Sequence, residues 1–222
     1  MPYCFPPTVN GQPKNYLKDI VLLTRSDKTS PRTEFCTSLR AQKIKALDFD
    51  EIKDDACSVR NILADLNGKH KCKSVDGYSL KPDDGPGSQI HYFIEFKNSP
   101  AEALSDFYES ERIDSSLRKK AIDSLAVAGM TILRDVSQKN IMENAVLIVV
   151  YHASGSDTIA SMTTDGKKLK NKLNDLAEIK DSLFPHLNIK WKIVELRECG
   201  FFKDVHTWRD DVFENWAKAH LA

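Results

Sequence analysis

The chain has 222 residues, 41% of them hydrophobic and 9% aromatic, an ordinary globular composition that sets aside disordered, collagen-like and membrane classes. Lys and Arg number 32 and Asp and Glu also 32, so the formal net charge is zero. A surface built to track a long polyanion carries an excess of cations, so any polyanion site in this chain has to be local.

Residues 1 to 35 are rich in Pro, Thr, Ser and Lys and read as an N-terminal arm, with one apolar stretch at Ile20 to Leu23 that suits an edge strand or a docking segment. The start has four prolines up to Pro13 but no basic stretch followed by an apolar one, which is not the pattern of a secretory signal. The five cysteines, Cys4, Cys36, Cys57, Cys72 and Cys199, are scattered without a Cys-x-x-Cys pair. A reduced, cytoplasmic protein is expected. His70 and Cys72 lie two apart, but no second pair at zinc-finger spacing follows them.

From residue 36 to 222 there is no linker or composition shift, and a single α/β domain is expected. Ile52, Ala56, Val59, Leu63 and Leu66 recur at spacings of three and four, which predicts a helix from Asp50 to Leu66 stopped by Gly68. His70 to Leu80 and Ser88 to Asn98 read as a hairpin around the turn-rich stretch Lys81 to Gly87. Ser99, Pro100 and Glu102 form a helix start with a capping box. After a break near Ser110 or Asp114, a longer helix carries Leu117, Ala121, Leu125, Ala128 and Ile132 on one face.

Ala145 to His152, AVLIVVYH, is apolar on both faces and β-branched, which predicts a central strand covered on both sides. The longest apolar run, Ala145 to Tyr151, is far shorter than the roughly 18 to 20 residues of a membrane-spanning helix, so no membrane span is expected. A helix from Lys168 to Phe184, a strand from Ile189 to Leu196 and a last helix after Thr207, marked by Trp208, Val212 and Trp216, complete the chain. Helices alternating with strands after an opening hairpin predict a mixed central sheet flanked by helices.

Chemistry concentrates in the hairpin. Its first strand contains Asp76 and its second reads Tyr92-Phe93-Ile94-Glu95-Phe96-Lys97-Asn98. An acid two before a lysine is common, and the chain has four such triplets, at Glu51, Glu95, Asp165 and Glu178. Only Glu95 to Lys97 falls in a predicted strand, where residues two apart face the same side. This arrangement resembles the PD-(D/E)xK phosphodiesterase superfamily, whose members share the restriction-endonuclease-like fold.

The resemblance spans about Asp50 to His152. It implies a metal-dependent, nuclease-like phosphodiesterase acting on nucleic acid, with Asp76, Glu95 and Lys97 as the catalytic set. Asp76 and Glu95 would hold Mg²⁺, joined by Glu51 from the preceding helix, with Asp54 or Asp55 as alternatives. The chemistry suits these residue types, because Mg²⁺ takes hard oxygen ligands and keeps several waters, while a lysine beside such a water orients it and stabilises developing charge.

Two departures from the family pattern stand out. Val75 occupies the place of the proline that often precedes the first acid, and Pro82-Asp83 has the right letters but lies in the turn-rich loop. The helix that carries glutamine in some exonuclease members offers Arg118, Lys119 and Lys120, a basic run that suits a phosphate backbone or solvent. The alternative function is a catalytically inactive scaffold of the same kind, binding a protein partner as an immunity or regulatory module.

Other constellations carry less. Ser154, His152 and Asp157 lack the Gly-x-Ser-x-Gly elbow of a hydrolase, and Gly166-Lys167-Lys168 lacks the upstream glycine of a phosphate-binding loop. His206 reads as a neighbour of the last helix cap, with no nucleophile near it in sequence.

Overall fold

The computed structural model describes residues 8–9, 12–13, 15–24, 35–60, 72–82, 89–98, 111–152 and 193–222. Predictions for Gly68 and His70, the capping box at Ser99, the helix from Lys168 to Phe184 and the residues Ser154, Asp157 and Gly166 lie outside the described residues.

Two strands, β1 (Thr8–Val9) and β2 (Gln12–Pro13), form a small antiparallel pair. The main sheet has six strands in the order β3 (Leu17–Asp19), β4 (Lys45–Asp48), β5 (Gly77–Pro82), β6 (Gln89–Asn98), β7 (Ala145–His152) and β8 (Asp204–Arg209). Pairing is antiparallel from β3 through β6 and parallel from β6 through β8. This is an α/β architecture with a mixed sheet flanked by helices.

β7 explains why the sheet needs cover on both sides. Ala145, Leu147 and Val149 join one buried cluster, while Val146, Ile148 and Val150 join the other. Successive side chains of a strand alternate between faces, so an uninterrupted apolar run requires two apolar layers. The first layer comes from α2 (Phe49–Arg60), which contributes Phe49 and Ile52, and from α3 (Glu111–Met130), which contributes Leu117, Ala121, Leu125 and Ala128. Ile141 of α4 (Gln138–Asn144) packs there too.

The second layer is built by α1 (Ile20–Leu23), the 3₁₀ turn Thr37–Arg40 and α6 (Asp210–His220), with Phe213 and Ala217 buried. Within the stretch read as an arm, then, β3 pairs with β4, and Ile20, Val21 and Leu23 enter the core. The apolar stretch at Ile20 to Leu23 is a helical turn rather than a strand, capped by the Asp19 carboxylate accepting from the Val21 N–H.

Two C-terminal expectations need correction. The end of the predicted Ile189 to Leu196 strand is helical, in α5 (Val194–Glu198). The physical reason is its C-terminus: Gly200 has a φ of 74°, its N–H donates to the Arg197 carbonyl and the Phe201 N–H to the Leu196 carbonyl. That pattern closes a helix and is one that glycine adopts without strain. The expected start of the last helix is instead strand β8, in which Val205 and Thr207 are buried and Trp208 belongs to the strand. The spacing of Trp208, Val212 and Trp216 masked a two-residue alternation in DVHTWR.

A buried histidine at the hairpin yields a pH prediction. His91 is 2% exposed, and its Nδ1 lies 2.8 Å from the Tyr78 hydroxyl. Burial lowers its pKa to about 4. Because the folded value is depressed below the ordinary 6.5, stability is complete above pH 6.5 and falls as pH drops from there to about 4, by about 3 kcal/mol. Urea titrations across that range should show this loss in the native protein, and the His91 share of the slope should vanish in His91→Gln.

Candidate functional site

The hairpin places Asp76, Glu95 and Lys97 together. Gly77 pairs with Ile94, so Asp76 stands one step before the β5–β6 ladder, opposite Glu95. The Asp76 side chain replaces the missing ladder partner, its Oδ2 accepting from the Phe96 N–H at 2.6 Å. Its carbonyl accepts from the Phe49 N–H, which ties it to the start of α2. Glycine at 77 leaves room for Leu23, whose Cδ1 would sit 3.1 Å from an added Cβ.

Glu95 and Lys97 share the face of β6 that also carries Phe93, while Phe96 packs into the opposite layer. Glu95 is 1% exposed, and the Lys97 ammonium lies 2.5 Å from its Oε1. A fourth residue joins them from α3. The Lys120 Nζ donates to both Glu95 oxygens at 2.8 and 3.0 Å and lies 3.8 Å from Asp76 Oδ1. Asp76 and Lys120 each keep about a fifth of their side chain exposed and Lys97 24%, so the cluster opens to solvent at its edge.

Side chains of α3 hold Lys120 in this position. The Ser124 hydroxyl accepts from the Val75 N–H at 2.9 Å and donates to the Lys120 carbonyl at 2.6 Å. Asp123 accepts from the Lys73 N–H at 2.8 Å. The backbone before Asp76 therefore docks on α3 instead of extending the strand. This is why β5 begins at Gly77 and not near His70, as the sequence pattern suggested.

The electrostatics follow from burial and crowding. Burial, and next to it the Glu95 charge, pushes the Asp76 carboxyl up to about 8, against the opposing pull of Lys120, Lys97 and the Phe96 N–H. Burial alone would lower the Lys120 pKa, but Asp76, Glu95 and Asp50 outweigh it and raise it above the ordinary lysine value. The two carboxylates are thus close enough to repel one another and to share a single cation.

Glu51, the third expected ligand, is not brought to this pair. Its Oε2 lies 2.7 Å from the Lys18 ammonium of β3, and among the described residues no three acidic, histidine or cysteine side chains converge as a metal-holding group. Of the alternatives, Asp54 pairs with Lys53 and Asp55 accepts from the Tyr16 hydroxyl. The α2 acid whose charge reaches the cluster is Asp50, which also accepts from the Ser74 hydroxyl.

Within the basic run of α3, Arg118 pairs with Glu195 and Lys119 with Asp123, and only Lys120 turns onto the carboxylates. The sequence held a signal for this. Lys120 sits three after Leu117 and four before Ser124, at the margin of the buried stripe, and reading the run as one basic block hid it.

His206 lies on β8, stacked on Trp208 and 3.4 Å from Asp204, with its pKa lowered chiefly by burial. No helix among the described residues is long and apolar enough to cross a membrane. Comparison of the chain with protein-family models, with curated proteins and with solved structures returns no match.

Proposed function

We propose that the protein is a metal-dependent phosphodiesterase acting on nucleic acid, built on a restriction-endonuclease-like core of α2, β5, β6, α3 and β7. The observation that carries this reading is the convergence of Asp76, just before β5, and Glu95 of the neighbouring β6 onto one ammonium group, with Lys97 also on the Glu95 carboxylate. Two carboxylates at the end of the β5–β6 ladder, beside a partly solvent-exposed margin, fit Mg²⁺, which takes hard oxygen donors and leaves positions for water and substrate. When bound, the ion would supply Lewis-acid polarisation of the phosphoryl oxygens and a more acidic water.

The protein's own groups do the rest. Asp76 is held in place by the Phe96 N–H and Glu95 by its burial, so both donors are oriented before anything binds. Lys97 projects beside them, positioned to orient the attacking water and to stabilise charge growing on the phosphoryl oxygens. With a net charge of zero, phosphate recognition is confined to this cluster. A cytoplasmic location belongs to the same proposal.

A specific observation favours a second reading, the inactive scaffold that binds a protein partner. The cations flanking the cluster are matched with acids, Lys53 with Asp50 and Asp54, Arg118 with Glu195 and Lys119 with Asp123, which neutralises the surface a nucleic acid would meet.

Incubation with single- and double-stranded DNA and RNA in the presence of Mg²⁺ or Mn²⁺ separates the two. Cleavage is expected that EDTA stops, that Glu95→Gln abolishes and that Lys97→Ala slows by roughly 10²- to 10³-fold. Absence of cleavage by the folded protein with either metal on all four substrates overturns the enzymatic reading and leaves the inactive scaffold.

A further inference from the structure

We infer that Lys120 is the resident counter-cation of the Asp76–Glu95 pair, and that a divalent metal binds there only by displacing its ammonium group. The inference rests on the metal-dependent reading above. Its basis is geometric: Lys120 spans both Glu95 oxygens at 2.8 and 3.0 Å and reaches to 3.8 Å from Asp76, so it already fills the position between the two carboxylates.

A divalent ion and two ammonium groups crowded onto two carboxylates would repel one another strongly at such distances. Of the two lysines, Lys120 is the one that bridges both acids and so blocks the shared position. Its backbone need not move. Ser124 and Asp123 pin α3 to residues 73 to 75, whereas the four-carbon stem of Lys120 is flexible and a fifth of the side chain already faces water. The side chain therefore has a route outward that leaves the helix in register.

The charge balance also links metal to substrate. With both acids ionised, the state in which carboxylates hold a metal, and both lysines in place, the cluster is neutral. Once a divalent ion replaces Lys120, the cluster carries one net positive charge. A phosphodiester anion cancels it, so metal alone binds weakly and metal with substrate binds better.

Mn²⁺ titration by calorimetry tests the competition without any activity assay. The native protein, Lys120→Met, Lys120→Arg, Glu95→Gln and the double variant Lys120→Met/Glu95→Gln are compared, each checked for folding by circular dichroism. Lys120→Met is expected to bind Mn²⁺ roughly ten- to a hundredfold more tightly than the native protein, the equivalent of releasing a hydrogen bond to a charged group. Lys120→Arg keeps a cation and should restore weak binding, and the double variant should bind none. If Lys120→Met does not fold, Lys120→Gln, which keeps a polar contact without the charge, makes the same comparison.

Equal or weaker binding by the neutral variants, with Glu95→Gln still abolishing it in the native background, overturns the inference and leaves the metal-dependent reading intact. A cluster that binds Mn²⁺ in no folded variant overturns that reading, and the inference with it. A purely structural Lys120 would lower the melting temperature of its variants without tightening metal binding.

Discussion

Glu95→Ala is expected to lower the stability of the protein by about 3 kcal/mol, read from urea unfolding at pH 7. The carboxylate is 1% exposed and carries both Lys97 and Lys120, so its removal leaves two cations facing a cavity in the sheet. The value falls at the low end for a broken buried pair because both lysines are partly exposed and can turn their ammonium groups to water. Glu95→Gln keeps the shape and one acceptor and should cost about half as much. If both variants are as stable as the native protein, Glu95 is not the anchor of the cluster.

The same numbers explain why the cluster asks for a function. Buried ion pairs recover little of the solvation they lose, and well-packed apolar side chains in their place are often neutral or stabilising. Here four charged groups occupy the margin of a face that otherwise carries Phe93, Leu117, Ala121 and Val149. A charged cluster in an apolar layer breaks the local rule that the rest of the sheet obeys, and such breaks concentrate where chemistry is done.

The second large effect is expected at Phe93. It is fully buried beneath α2 and α3, with ring centroids 5.9 Å from Phe49, 5.3 Å from Tyr78 and 5.8 Å from Phe202. All three partners meet it edge to face, an arrangement that gains energy beyond the area buried. Phe93→Ala should lower stability by about 4 kcal/mol through lost burial and the cavity left behind. Phe93→Leu, which keeps much of the volume, should lose roughly half of that. Chemical denaturation of both variants checks the ranking, and an Ala variant no less stable than the Leu variant would contradict this account of the core.

The parts of the fold that were legible in the sequence are those governed by local periodicity. The apolar, β-branched run at Ala145 to His152 demanded cover on both faces, and both layers are present. Leu117, Ala121, Leu125 and Ala128, all buried on α3, followed from spacings of three and four, whereas Ile132, expected on the same face, lies in the turn after the helix and is only partly buried. Less was legible where local signals compete. DVHTWR and the helix after it share aromatic spacing that suits either element, and pairing with β7 decides for a strand. The β-branched Ile189, Ile193 and Val194 favour a strand that runs to Leu196, but the glycine-closed end makes Val194 to Glu198 a helix.

The candidate site divides the same way. By itself the sequence determined that Glu95 and Lys97 share one side of a strand, because alternation is a property of the extended backbone. It also singled out Asp76, which the structure places one residue before β5, and it declared a chain of zero net charge. Tertiary structure alone decided that Asp76 meets Glu95, through a ladder that ends at Gly77 and a side chain that takes over the next backbone donor. It likewise decided that Lys120 closes the pair while Glu51 turns to Lys18, since the packing of α3 and β3 against the sheet sets which charge each acid meets. Contacts between residues far apart in the chain depend on how whole elements dock, and no local spacing encodes that.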